Sequence, residues 1–403
     1  MLWVVALLNY LDRQMLSTMQ QAMGMDIIEL QSAEAFGFLM SVFLIIYGIM
    51  SPISGFIGDR LNRKWLIVGS LFVWSAVTLL MGYAQNYDQV LFLRAFMGIS
   101  EALYMPAGLA LIADYHTGKS RSLAVGLHMT GIYMGQALGG FGATLAASFS
   151  WHTAFHLFGI IGCTYSLVLI AFLREKKTDR SETVRNTQNT EVQGSKKESP
   201  LRVFSLLLGS LPFWIILIYF SVPSLPGWAT KNWLPTLFSE SLGIPMSQAG
   251  PMATITIAMS SFIGVLIGGW LSDHWVKRNL KGRVYTGAIG LALTIPSLIL
   301  LGIGSTVPVI VAAGMLFGIG FGMFDTNNMP ILCQFVAARH RATAYGILNM
   351  AGVFAGSAIT YLLGRWNESG MTLGTGFAVL SLIVLVALAL QLYFLNPTTD
   401  NKE

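Results

Sequence analysis

Charge is scarce in this chain. Only 11% of its 403 residues are Asp, Glu, Lys or Arg, against 54% that are hydrophobic. A soluble domain carries roughly 25% charged residues, so the composition excludes an ordinary soluble protein and points to a lipid bilayer. Cysteine is scarcer still. Cys163 and Cys333 lie in or at the end of different apolar stretches, which argues against a disulfide framework and for two inert thiols. A basic leader with a small-residue cleavage site is lacking, and Asp12-Arg13 interrupts the first apolar run, so a cleaved signal peptide is not expected. Gly-rich nucleotide loops, metal-ligand clusters and hydrolytic triads are lacking too. Neither an ATP-driven pump nor an enzyme is expected, and no cofactor, metal or catalytic residue.

What is present is a series of apolar stretches, each about 20 residues long, the length a helix needs to cross the bilayer. Twelve are expected, at 2–21, 35–56, 65–85, 89–112, 121–145, 152–173, 210–238, 250–272, 284–305, 308–333, 341–363 and 372–395. With the amino terminus placed in the cytoplasm, 20 of the 24 Lys and Arg residues fall in loops on that side. The positive-inside rule then puts both termini in the cytoplasm of a multi-pass plasma (inner) membrane protein. The net charge of +5 is thus a topological mark rather than a nucleic-acid footprint.

Residues 174–202 are polar, charged and free of aromatics, and cannot bury enough apolar surface to fold. They divide the chain into a six-helix bundle at 1–173, a cytoplasmic linker at 174–209, a second bundle at 210–395 and a tail at 396–403. The halves repeat. GFIGDRLNRK (55–64) is echoed by GWLSDHWVKR (269–278), and RSLAVG (121–126) by RATAYG (341–346). Glu101 precedes Pro106 by five residues, as Asp325 precedes Pro330. Such repeats build secondary transporters, with the substrate site at the midplane between them.

Charge inside spans costs roughly 3 kcal/mol per group at mid-bilayer, yet Asp12, Arg13, Arg94, Glu101 and Asp325 all lie there. Arg94 and Glu101, seven apart, return to within about 20° of one helix face. Asp12 and Arg13 diverge by about 100°, so one can face a cavity while the other pairs sideways. Static salt bridges that fix packing are the plainer alternative, but buried pairs rarely outperform apolar packing. Lys231 either meets a substrate or snorkels outward. Asp325 with Asn328 either lines the cavity or marks a helix break. His128 either relays protons or is a hydrogen-bonded core histidine. Tyr47, Tyr104, Tyr133, Gln136 and Asn349 can hydrogen-bond sugar hydroxyls, although aromatics in spans are usually packing. Gly131-x3-Gly135-x3-Gly139 and Gly352-x3-Gly356 allow close helix approach, which suits rocking halves.

The Gly-x-x-x-Asp-Arg-x-x-Arg-Lys loop after the second of twelve helices, half-repeated after the eighth, resembles the loop signature of the major facilitator superfamily. Asn62 and His274 depart from the usual pattern. The resemblance implies an all-α membrane protein of twelve transmembrane helices in two six-helix pseudo-repeats, with Asp59, Arg60, Arg63 and Asp273 as gate residues. NYLDRQ (9–14) and RAFMGISEALYMPA (94–107) are similar to the anion:cation symporter group, which includes sugar-acid permeases and sialin-like carriers. That implies Arg13 and Arg94 on a substrate carboxylate, and Asp12 and Glu101 in proton coupling. Drug/proton antiporters of the superfamily usually carry Gly-Pro-x-x-Gly-Gly in span 5. Here Gly135-Gln-Ala-Leu-Gly139-Gly140 lacks the proline.

With everything ionised, Arg13, Arg94 and Lys231 balance Asp12, Glu101 and Asp325. Low dielectric favours a neutral carboxyl, while guanidinium keeps its charge. Protons on Asp12 and Glu101 would leave a net charge of two positives, which attracts a carboxylate. The expected function is proton-coupled symport of a small organic anion such as a sugar acid. Substrate contacts fall to Arg13, Arg94, Lys231, Tyr47, Tyr133, Gln136, Asn328 and Asn349, and proton coupling to Asp12, Glu101, Asp325 and His128. The expected partners are the anion, protons (with Na⁺ as an alternative) and the bilayer, with the chain a monomer. A Spinster-like lipid or amphiphile transporter is the nearest alternative, and a transport-inactive sensor with a permease fold is a more distant one.

Overall fold

The computed structural model describes residues 1–116, 119–174, 206–336 and 340–394. Most of the expected linker and the whole of the tail lie outside the described residues. Those described form helices and connecting turns. The first half holds α1 (Leu2–Leu16), α2 (Gln20–Met23), α3 (Ala33–Arg60), α4 (Arg63–Met81), α5 (Tyr87–Ala102), α6 (Tyr104–Tyr115), α7 (Lys119–Gly139), α8 (Gly142–Ser148) and α9 (Trp151–Phe172). The second holds α10 (Leu211–Leu242), α11 (Met246–Val276), α12 (Gly282–Ile303), α13 (Val307–Asp325), α14 (Asn328–Phe335), α15 (Arg341–Glu368) and α16 (Leu373–Phe394).

Polar side chains start several of these helices. Ser32, Asn62, Asn86 and Ser150 each accept a hydrogen bond from the backbone N–H three residues on, satisfying a donor the helix itself leaves open. Prolines interrupt two helical runs. A proline ring clashes with the carbonyl four residues back. Pro106 sits four after Ala102, and α5 gives way to α6 at Leu103. Pro330 sits four after Thr326, and α13 gives way to α14 at Thr326-Asn327. The repeated carboxylate-x4-proline element is therefore a repeated helix break, with Glu101 and Asp325 each just before it.

Ten helices among the described residues are long and apolar enough to cross a membrane. The two expected spans outside that set are the first, α1, with 15 residues, and the fifth, α7. These two pack on each other through the Gly131, Gly135 and Gly139 stripe. A β-carbon at Gly131 would lie 2.6 Å from the Trp3 carbonyl oxygen, and one at Gly135 would overlap that of Leu7. In the second half, Gly352 and Gly356 of α15 meet the side chains of Phe220, Ser224 and Trp228 of α10. The repeated glycine spacing thus makes one helix contact in each half.

Among the described residues, Arg63, Lys64, Arg174, Lys277, Arg278, Lys281, Arg283 and Arg341 lie at one set of helix ends, the basic end. At the opposite end the halves are joined. Ala33 N–H donates to Glu368 at 2.8 Å, and Tyr361 donates to Glu34 at 2.6 Å. Ser41 and Ser357 each donate to the other's carbonyl, at 2.7 and 3.2 Å. Thr144 and Thr254 bond the carbonyls of Ser247 and Ala137, where Gly140 and Gly250 meet backbone to backbone. Toward the basic end, Asn349 of α15 donates to Ser51 of α3 at 3.2 Å.

Candidate functional site

The charged residues of the first half converge on α1, α3 and α5. Arg13 is 9% exposed and its Nε donates to Oε2 of Glu101, which is fully buried. Arg94, on the same helix as Glu101, is 2% exposed. Its Nη1 reaches Met97 Sδ at 3.2 Å. Arg13 is boxed by rings, its guanidinium carbon lying 5.0 Å from Tyr10, 4.9 Å from Phe43 and 4.6 Å from Tyr47. The Arg94 guanidinium lies 4.3 Å from the same Phe43 ring. Ring faces attract cations, so one phenyl group stabilises two neighbouring positive charges. Arg13 Nη2 and Arg94 Nε have no hydrogen-bond partner.

Asp12 takes the other direction. Its Oδ2 accepts from Thr78 of α4 at 3.3 Å, inside the first bundle. The 100° divergence of Asp12 and Arg13 therefore resolves with the arginine toward the cavity and the carboxylate sideways.

The second half contributes Lys231 of α10, whose amine lies 4.7 Å from the Trp228 ring. Pro235 has no N–H to give the Lys231 carbonyl four residues back. Gln14 of the first half supplies the bond instead, Nε2 donating at 2.8 Å. Arg13, Arg94, Lys231 and Gln136, with Tyr10 and Trp228, line a central cavity between the halves of about 20 Å³, room for one or two waters. Asp325 is exposed and interacts electrostatically with Lys231, Tyr133 and Tyr345. It accepts from Asn328 at 3.1 Å. These groups come from α7, α10, α13, α14 and α15.

Other expected residues lie apart. His128 is buried against Tyr104, ring centroids 6.0 Å apart. It lines a separate lateral cavity with Leu2, Trp3 and Leu127. Tyr133 packs on Phe262 of the other half at 5.9 Å, and Asn349 bonds Ser51. Of the expected gate residues, the side chains of Asp59 and Arg60 lie outside the described residues. Arg63 pairs with Asp114, and Asp273 lies 3.9 Å from Arg283, each within its own half at the basic end. Tyr10, Gln14, Phe43, Trp228 and Asn232 are cavity residues that sequence reasoning missed. Tyr10 and Trp228 each stand three residues before a cavity cation, one helical turn away, and that spacing is the signal that could have found them.

The family model of the Major Facilitator Superfamily matches residues 2–360 and 266–403. The D-galactonate transporter of Escherichia coli O6:H1 is 25% identical, over 97% of this chain and 92% of that one. The chloroplastic ascorbate transporter of Arabidopsis thaliana is 24% identical over 91% and 71%, and the 4-hydroxybenzoate transporter of Pseudomonas putida 27% over 88% and 82%. Among solved structures, a bacterial homologue of the human lysosomal transporter Spinster, inward-facing and unoccupied, superposes with a TM-score of 0.77 at 18% identity. That likeness covers 97% of this chain and 94% of the other.

Proposed function

Because the chain belongs to the Major Facilitator Superfamily, a family of multi-pass transporters rather than enzymes, we propose that it is a proton-coupled symporter of a small organic anion, a sugar acid or related carboxylate. In this reading α1 and α7 complete twelve spans, and the basic loops face the cytoplasm. The halves alternate access about the central cavity, which is closed in this structure on the side away from the basic loops.

The observation that carries the reading is the pair of buried guanidinium groups on one ring, with N–H groups of both left unpartnered beside the cavity. Leaving such donors buried costs about 1–3 kcal/mol each, and a carboxylate is the acceptor that suits the guanidinium fork. Glu101 engages Arg13 in the present arrangement. A proton on Glu101 weakens that pair and releases Arg13 to the incoming anion, so proton and anion load together. Lys231, across the cavity, ties the second half to the same charge, and Asp325 restores its balance after release. The relatives named for D-galactonate, ascorbate and 4-hydroxybenzoate transport support an anionic substrate.

The test is uptake of these three acids into proteoliposomes with and without an imposed pH gradient. Accumulation is expected to need the gradient. Arg94→Ala is expected to abolish uptake. Glu101→Gln is expected to keep exchange but lose accumulation. Gradient-independent accumulation, or full uptake by Arg94→Ala, rejects the reading. A Spinster-like amphiphile carrier is a second reading, supported by the apolar lateral cavity of about 660 Å³ lined by Leu111, Leu123, Leu127 and Phe172. It predicts transport that survives Arg94→Ala and depends on lipid.

A further inference from the structure

Where α1, α4 and α9 meet, a group of polar atoms is buried inside the first bundle, off the central cavity. Asn9 and Asp12, three residues apart on one face of α1, are 0% and 4% exposed. Both amide atoms of Asn9 and Oδ1 of Asp12 lack partners at full hydrogen-bond geometry. On α4, Thr78 reaches Asp12 Oδ2, and one turn earlier the Ser75 hydroxyl is buried without a partner. Gly162 of α9 closes the group, its backbone so near Ser75 that a β-carbon would overlap the hydroxyl. At the other end stands Glu101. Its Oε1, the oxygen not held by Arg13, has no partner at full hydrogen-bond geometry, and the Asn9 side chain reaches Glu101 in a loose hydrogen bond that a water can complete.

Each orphan costs about 1–3 kcal/mol if nothing satisfies it. Asn9 Nδ2 is a donor, while Asn9 Oδ1, Asp12 Oδ1 and Glu101 Oε1 are acceptors, and the Ser75 hydroxyl is both. A cation would serve the oxygens and strand the amide N–H. Water donates and accepts, so it answers the whole set.

We propose that Asn9, Ser75 and Thr78 hold an internal water track that carries a proton between Asp12 and Glu101. The inference rests on the proton-coupled reading. In the loading step the carboxylic acid of Asp12 gives its proton to a track water, and that water passes one to Glu101 Oε1. The net change is neutral Asp12 and anionic Glu101 becoming anionic Asp12 and neutral Glu101, with the water restored. Arg13 is then free for the substrate. Asp12 thus stores the proton away from the substrate path, and Asn9 and Thr78 are positioning residues. The other charged or titratable groups around Asp12 are Arg94 of α5 and Cys163 of α9.

The experiment uses proteoliposomes and whichever of D-galactonate, ascorbate or 4-hydroxybenzoate the unmodified protein accumulates. Counterflow exchange at equal pH and gradient-driven accumulation are measured side by side. Asn9→Leu and Thr78→Val are expected to keep exchange within about twofold and to lose accumulation about tenfold, the scale of one buried hydrogen bond. Thr78→Ser, which retains the hydroxyl, is expected to behave as the unmodified protein. Normal accumulation by both Asn9→Leu and Thr78→Val overturns the track. Loss of exchange in folded variants also overturns it, since the residues would then shape the substrate site. If the unmodified protein accumulates anion regardless of the gradient, the symport reading fails before any variant is made, and the track falls with it.

Discussion

Phe43 holds two like charges side by side. Arg13 and Arg94 both rest on its ring, and each cation–ring contact contributes about 0.5–2 kcal/mol when shielded from water. Phe43→Leu preserves apolar bulk and removes the ring. The apparent affinity for anion is expected to fall about threefold to tenfold, with a smaller effect on maximal rate and recovery in Phe43→Trp, read from the concentration dependence of uptake. Sequence alone exposed the arginines and carboxylates, because charge in an apolar span stands out. It did not reveal their partners. Seven residues put Arg94 and Glu101 on one face, yet Glu101 reaches across to Arg13 on α1, since two helical turns of about 10 Å separate it from Arg94. Phe43 was invisible for the opposite reason, being one more aromatic in an apolar helix.

At the level of helices, the glycine spacing was the most readable feature and the helix ends the least. The expected fifth span at 121–145 is divided, with α7 ending at Gly139 and α8 starting at Gly142. The second runs from Ala33 to Arg60, beyond 35–56 at both ends, since hydropathy marks the lipid-facing length and not where backbone hydrogen bonding stops. The stretch containing Asp325 and Asn328 forms a helix break, with Asp325 exposed and accepting from Asn328. Prolines told less. Pro223, Pro226 and Pro235 all lie inside the unbroken α10, where Thr230 bonds the Pro226 carbonyl at 2.6 Å and Gln14 takes that of Lys231. The α1–α7 contact gives a stability prediction. Gly135→Val drives two methyl groups into the Leu7 carbonyl, and overpacking of this kind costs about 1–3 kcal/mol. A lower melting temperature in detergent is expected. No such loss is expected at Gly126, where a β-carbon meets nothing within 4 Å.

Across the whole molecule, the duplicated sequence implies two halves, and a cavity is lined by helices of both, but it does not mark which end is shut. Closure depends on pairings between segments more than 100 residues apart, such as Thr144 with Ser247 and Ser41 with Ser357, and a single chain carries no mark of them. Ser41→Cys with Ser357→Cys, in a protein whose Cys163 and Cys333 are replaced by Ala, is expected to cross-link under oxidation. Transport is then expected to stop and to return on reduction; continued transport by the cross-linked protein would show that the halves need not part there. The fit of α1 against α7 also bears on how the protein is made. Helix α1 carries Asp12 and Arg13, a load of roughly 3 kcal/mol each at mid-bilayer, and precedes in the chain the residues they pair with. Thr78, Glu101 and the glycines of α7 emerge 60 to 130 residues later. Stable residence of α1 in the bilayer therefore awaits the fifth span. A nascent chain halted before Lys119 should leave α1 loosely held and open to proteolysis, and one halted after Ser148 should not.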